Sequence, residues 1–273
     1  MKEQKCRFIY TGVNNPYFNM AVDEVLLNSA KNRSITTLRL YEWNPATVSI
    51  GYFQAVKKTA DLNKCDRAGI KIVRRITGGR AVLHNKELTY SFCGNLTSFP
   101  ELGRNISETY QQVSSALLLF LMDIGIKAEC ASQRRIKESS GKAYYNMPCF
   151  SSFSRYEISF QGKKLIGSAQ RRFEDSFLQH GSILLNENQL KLIDFLPLDF
   201  PLEKNKLDKN FIYIEEIIGK KVDKQIIINS INRSFNKFFL KDFNKEYLTD
   251  EELKETGELI RNKYSSDSWT FKF

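Results

Sequence analysis

Cys149, in the segment Met147-Pro148-Cys149-Phe150, and Lys164, in Gly162-Lys163-Lys164-Leu165-Ile166-Gly167-Ser168-Ala169-Gln170, are the residues of this chain best suited to covalent chemistry. The spacing predicts a loop for the cysteine and, a short hairpin away, a strand for the lysine. Thiolate is the reactive form of cysteine, and a nearby cation lowers the thiol pKa and favours that form. A Cys/Lys pair can therefore take an acyl group from one carrier and hand it to another. Residue types alone make a weak case, because most cysteines are inert packing residues and most lysines are solvated.

An upstream segment, Arg74-Arg75-Ile76-Thr77-Gly78-Gly79-Arg80-Ala81-Val82-Leu83-His84, sharpens it. Thr77-Gly78-Gly79 reads in two ways. It is a tight turn, or it is a place where the backbone approaches a ligand and offers amide donors to a carbonyl or phosphate. Arg75 and Arg80 on either side would suit an anionic or carrier-bound group. His84 and His180 are the only histidines. Without clustered acids or cysteines they make no metal site, and each reads first as a hydrogen-bonded structural residue.

Other chemistries are not supported. Ser139-Ser140-Gly141-Lys142 has Ile136 where a phosphate loop needs its first glycine. No GxGxxG follows a strand, and Ser168 lacks the GxSxG frame of a serine hydrolase. Cys93 falls inside a strand and reads as a small core residue; Cys6, Cys65 and Cys130 have no constellation around them.

The elements that must position these residues follow from periodicity. A helix is expected over Asn19–Ala30, capped by Asn19, and strands on either side of Asn44-Pro45 between Thr36 and Gly51. A short helix over Asp61–Ala68 precedes strands at Ile70–Arg75, Ala81–Leu83 and Leu88–Cys93. A long amphipathic helix runs from Ser107 to near Gly125. Beyond the polar loop 132–153 come strands at Tyr156–Phe160, Lys164–Gln170 and Gln179–Leu185. Helices over Asp223–Leu240 and Thr249–Tyr264 close the chain, the second with Thr249 and Glu252 spaced as a capping box. The class expected is α+β, a mixed β-sheet covered by helices.

With 273 residues and 42% hydrophobic content, the chain suits one large domain with an appendage. Composition shifts after Pro197 and Pro201, so residues 1–202 read as the catalytic domain and 203–273 as a helical extension packed on it. The net charge of +10 sits in the body: residues 203–273 carry 14 Lys/Arg against 13 Asp/Glu. A basic body steers acidic partners; no recognition motif accompanies the charge, so nucleic acid is not expected. No apolar run approaches membrane-spanning length, and no signal peptide is seen. Five scattered cysteines without a CxxC pair argue for reduced thiols and a cytoplasmic setting.

Together these segments, with Asn19-Met20-Ala21-Val22-Asp23-Glu24 and Gln179-His180-Gly181-Ser182-Ile183-Leu184-Leu185, resemble the lipoate-protein ligase/octanoyltransferase superfamily, which shares the catalytic fold of biotin protein ligase. The resemblance implies that Arg75, Thr77, Gly78, Gly79, His84, Gly167, Ser168 and Ala169 line the acyl pocket. It implies that Lys164 lies near the acyl carbonyl and that His84 orients the pocket by hydrogen bonding. Arg80 stands where ATP-dependent ligases carry a third glycine, and those enzymes lack a cysteine at the Cys149 position. Both departures are similar to the cysteine-dependent octanoyltransferases. The implied reaction moves an octanoyl group from acyl carrier protein, through a Cys149 thioester, to a lysine of a lipoyl-domain protein such as the glycine-cleavage H protein. No cofactor, metal or membrane is implied. An ATP-dependent ligase and an amidotransferase between lipoyl domains are the alternatives.

Overall fold

The computed structural model describes residues 5–130, 157–187, 191–197 and 210–273. Cys149 and the loop predicted around it lie outside the described residues.

Two sheets carry the architecture. The larger has the order β11-β1-β2-β6-β10-β9-β8-β7, built from β1 (Lys5–Asn14), β2 (Ile35–Trp43), β6 (Leu88–Asn95), β7 (Glu129–Cys130), β8 (Ile158–Phe160), β9 (Lys163–Arg172), β10 (Ser176–Ile183) and β11 (Asn244–Lys245). β1 runs parallel to β2 and β11, and the remaining pairs are antiparallel. The smaller sheet is β4-β3-β5, from β3 (Thr47–Ile50), β4 (Lys71–Arg74) and β5 (Val82–His84). The mixed, helix-covered α+β arrangement expected from the sequence is what forms. The strands on either side of Asn44-Pro45, read as neighbours in sequence, belong to different sheets.

Side chains alternate across a strand, so register decides which residues share a face. In the large sheet Tyr41, Thr89, Ser182 and Gly167 form one rung. Arg39, Ser91, His180 and Ala169 form the next, and Thr37, Cys93, Leu178 and Arg171 the one after. This face is covered by α1 (Pro16–Arg33), whose Met20, Ala21, Val22 and Leu26 pack with Tyr41, Cys93 and Leu178. The opposite face buries Leu38, Leu40, Tyr90, Phe92, Phe177 and Ile183 beneath α2 (Ile106–Asp123) and the helix Lys224–Phe239. Phe92 is its centre, with the rings of Phe177, Phe235 and Phe239 at 5.6, 5.2 and 5.5 Å. Residues 210–273 thus close the main core and add strand β11 to the sheet's edge.

Helix starts follow capping chemistry. Asn105, Asp223 and Thr249 each cap a helix with a side-chain oxygen, Thr249 through the full capping box with Glu252. α1 begins earlier than expected, at Pro16, because a proline without an N–H fits the first turn and Asn15 accepts from Phe18 N. Asn19 is instead buried inside the helix, donating to Glu42 O at 2.9 Å and accepting from Arg39 at 2.9 Å.

Candidate active site

Helix α1 and strands of both sheets meet around a narrow cavity of about 30 Å³. Met20, Tyr41, Trp43 and Val82 form its apolar wall; Gly167, Ser168, Ala169 and Ser182 come from the sheet, with Arg75, Ser49, His84 and His180 at the polar side. The double-glycine loop is carried to this place by close backbone contact. A Cβ on Gly51 would fall 1.9 Å from Gly79 O, so only glycine lets β3 run so near the loop. Gly79 itself has φ +85°, a left-handed conformation that side chains rarely adopt, and its missing Cβ would stand 3.5 Å from Ala169. Of the two segments singled out in sequence, Gly167-Ser168-Ala169 lines the cavity, whereas Thr77-Gly78-Gly79 packs against that strand without lining it.

Arg75 is the hub. Its Nε donates to Thr77 Oγ1 (3.2 Å) and Gly78 O (3.2 Å), and Nη1 to Ser49 O (3.0 Å) and Ser49 Oγ (3.1 Å). Nη2 donates to Gly78 O and Arg80 O, both at 2.8 Å. A guanidinium has five N–H donors in a fixed fork. Here they are spent on the backbone and hydroxyls of the site itself, so Arg75 builds the loop and does not present a free charge to an anion. That revises the anion-facing reading of this residue.

Two relays of the same composition support the hub. In one, Asp23 Oδ2 accepts from His180 Nδ1 at 2.8 Å, and His180 Nε2 lies 2.7 Å from Thr77 Oγ1. A carboxylate only accepts, so the ring proton sits on Nδ1 and Nε2 accepts from the threonine hydroxyl. In the other, Glu87 accepts from His84 Nδ1, and His84 Nε2 accepts from Ser49 Oγ at 2.7 Å. Trp43 stacks on His84 with ring centres 4.1 Å apart and donates Nε1–H to Thr89 Oγ1 at 2.8 Å. Each chain of carboxylate, imidazole and hydroxyl ends on Arg75. Thr77, His180 and Asp23 have the order of a hydrolase triad, but Thr77 is fully buried and its oxygen already accepts from Arg75. The arrangement supports the loop, and the Thr77 hydroxyl is engaged in it on both sides.

The sequence reading missed Asp23, Ser49 and His180 as site residues. His180 and Asp23 lie in segments that carry the family resemblance, and that was the available signal. Ser49 offered none, because a strand serine next to valine and isoleucine looks like packing.

Electrostatics agrees with the geometry. Burial pushes His180 below the ordinary histidine range, more than Asp23 restores. Burial would raise the Asp23 carboxyl, but the hydrogen bond from His180, the Arg39 guanidinium at 2.7 Å and the Tyr41 hydroxyl at 2.9 Å together hold it below its usual value. Both groups bind fewer protons folded than unfolded, so their stabilising contribution is whole above about pH 6.5 and lost on acidification, first through His180. His180→Gln should flatten the fall in stability between about pH 6.5 and 5. Urea midpoints of both proteins across that range measure it; an unchanged slope in the variant would assign the loss to other groups.

Ser168 Oγ shares a hydrogen bond of 2.7 Å with Tyr90 OH, and Tyr110 OH donates to Ser168 O at 3.2 Å, fixing the strand that faces the loop. Ser182, in the cavity wall, has a buried hydroxyl with no partner among the described residues. Such a group is satisfied when a carbonyl enters beside it. Lys164 does not line the cavity. It is fully buried, its Nζ 2.7 Å from Glu157 Oε1, while its neighbour Lys163 is half-buried and lies 3.7 Å from Glu216. Among the described residues no group of His, Cys, Asp and Glu is arranged to hold a metal.

Comparison with known proteins places this geometry. Residues 15–236 match the family model "Lipoyl protein ligase A/B catalytic domain". The chain is 38% identical to Octanoyltransferase LipM of Staphylococcus epidermidis, across 97% of this chain and 98% of that protein. It is 36% identical to Octanoyltransferase LipM of Bacillus subtilis across the whole of both. Among solved structures, a lipoate-protein ligase A bound with ATP superposes with a TM-score of 0.80 at 22% identity, covering 98% of each chain. A bipartite lipoate protein ligase from Thermoplasma acidophilum also gives 0.80 at 22%, covering 98% of this chain and 97% of that one; both show a shared fold. An α+β core, a double-glycine loop against a Gly-Ser-Ala strand, and likeness over most of its length have one reading: the chain belongs to the lipoyl protein ligase A/B catalytic-domain family.

Proposed function

We propose that the protein is an octanoyltransferase of lipoate biosynthesis. It would take an octanoyl group from acyl carrier protein and pass it, through a thioester on Cys149, to a lysine of a lipoyl-domain protein such as the glycine-cleavage H protein. The observation that carries the reading is the end-to-end identity with proteins named Octanoyltransferase LipM. The cavity supports it, because its wall is apolar and its one guanidinium is turned to the protein's own backbone, which suits an uncharged chain.

In the first step the Cys149 sulfur attacks the carrier's thioester carbonyl; the new C–S bond forms as the old one breaks, and the carrier leaves as a thiol with the proton. In the second, the acceptor amine attacks the enzyme thioester; the amide forms and the Cys149 thiol is regenerated. Splitting the transfer this way is the general gain of covalent catalysis. Net charge of +10 suits acidic protein substrates.

Mass measurement of the protein after mixing with octanoyl-carrier protein, then after adding the acceptor, tests both steps. A thioester is already activated, whereas a free acid must first be adenylated. Transfer is therefore expected without ATP or magnesium, and free lipoate or octanoate should not be used even when both are supplied. Modification from the free acid that appears only with ATP would make the enzyme a ligase. Faster transfer from one lipoyl domain to another than from the carrier would make it an amidotransferase.

A further inference from the structure

Beside the cavity lies a surface of different character. Phe53 is 78% exposed, Phe273 51%, Phe271 41% and Phe173 37%. Cations lie over the rings among them: the Arg171 guanidinium is 5.2 Å from the centre of Tyr52 and 4.9 Å from that of Phe173, and the Lys272 ammonium is 4.9 Å from Tyr52 and 5.5 Å from Phe273. Phe53 meets Tyr52 edge-on at 4.8 Å and Phe273 at 6.2 Å. Lys263 close by is paired with Glu24, but neither Arg171 nor Lys272 is paired with a carboxylate among the described residues. Exposed apolar rings in one patch mark interaction sites, and aromatics with arginine are the residues enriched at protein interfaces.

The patch is joined to the cavity. Tyr52 N donates to Thr77 O at 2.9 Å, and Arg171 donates to Ile76 O at 3.0 Å. Arg171 follows Ala169 by two residues on the same face of β9, a step of about 7 Å.

We propose that this aromatic and cationic surface seats the acidic lipoyl-type domain whose lysine receives the acyl group. The proposal rests on the transfer reading above. Reach decides between the two protein substrates. A lysine side chain spans only about 6 Å of bonded atoms, so its domain must sit against the rim, whereas an acyl group on a long prosthetic arm reaches the cavity from farther away. Two cations without a carboxylate partner among the described residues supply the complement to an acidic face.

The test uses the double variant Phe53→Ser with Lys272→Glu, both outside the cavity, in the full chain. With an acidic lipoyl domain as acceptor, kcat/KM should fall at least about tenfold. Self-acylation by a small octanoyl thioester, and by octanoyl-carrier protein, should stay at the wild-type rate. Unchanged transfer to the acceptor would overturn the proposal, and so would a loss confined to the carrier-borne donor. A lipoyl domain whose target lysine is changed to glutamine is also titrated into both proteins at low salt, where the variant should bind more weakly. If the wild type neither self-acylates nor transfers, the transfer reading fails, while this binding measurement still decides the surface.

Discussion

Cys149→Ala is expected to stop acyl transfer, lowering turnover by at least about 10⁴-fold, the scale on which an enzyme loses a covalent nucleophile. None of the four described thiols is suited to take its place. Burial pushes Cys6 and Cys65 up to about 11, and pushes Cys93 and Cys130 up as well. A thiol so raised is hardly ionised near neutral pH, and the thiolate is the species that attacks. The measurement is twofold: the rate of acceptor modification, and the mass of the enzyme after exposure to the octanoyl donor. Near-normal turnover in Cys149→Ala would remove the covalent route. Serine at Cys6, Cys65 or Cys130 should leave the rate largely unchanged.

The second large effect concerns Lys164, and the structure changes how it must be tested. Lys164→Ala is expected to slow acylation by roughly 10²–10⁴-fold if the ammonium assists the reacting carbonyl or thiolate. The same substitution takes the Lys164 ammonium away from the buried Glu157 carboxylate, and breaking a buried pair costs about 3–5 kcal/mol. Loss of rate alone would therefore not separate chemistry from folding. Lys164→Met combined with Glu157→Gln removes both charges together and should recover most of the stability. If the rate stays low in this folded double variant, the lysine acts in the reaction. If it returns with the stability, Lys164 is a structural partner of Glu157, and the resemblance has carried over a role that this chain does not use. Lys163→Ala, at a half-buried position on the other side of the strand, should change little on either measure.

Legibility in the sequence followed locality. Helix starts at Asp223 and Thr249 were readable because a cap is written within four residues, whereas the helix read from Ser107 begins at Ile106 with Asn105 as its cap. The strands around the double-glycine turn were readable for the same reason. The pairing of β3 with β4 and β5 in a separate small sheet was not, since nothing near Asn44-Pro45 says which sheet the chain joins next. Site residues divided in the same way. The glycines and the Gly-Ser-Ala strand stand out as motifs, whereas Ser49 acquires its role only when β3 is laid beside His84 and Arg75. Arg75 was legible as a site residue but not as a scaffold, because its sequence neighbours do not reveal that six hydrogen bonds turn it inward.

The convergence of two histidine relays on one guanidinium bears on how this chain can change over generations. His84 is on β5 of the small sheet and His180 on β10 of the large one, yet each loses part of its purpose if the other's chain is cut, because the loop they hold is shared. Mutations at residues acting through one partner do not contribute independently. Substitutions in Asp23, His180 and Thr77 on one side, and in Glu87, His84 and Ser49 on the other, are therefore expected to be coupled in their effects. A replacement tolerated in one relay narrows what drift can accept in the other, and that epistasis ties two distant stretches of sequence to the shape of one pair of glycines.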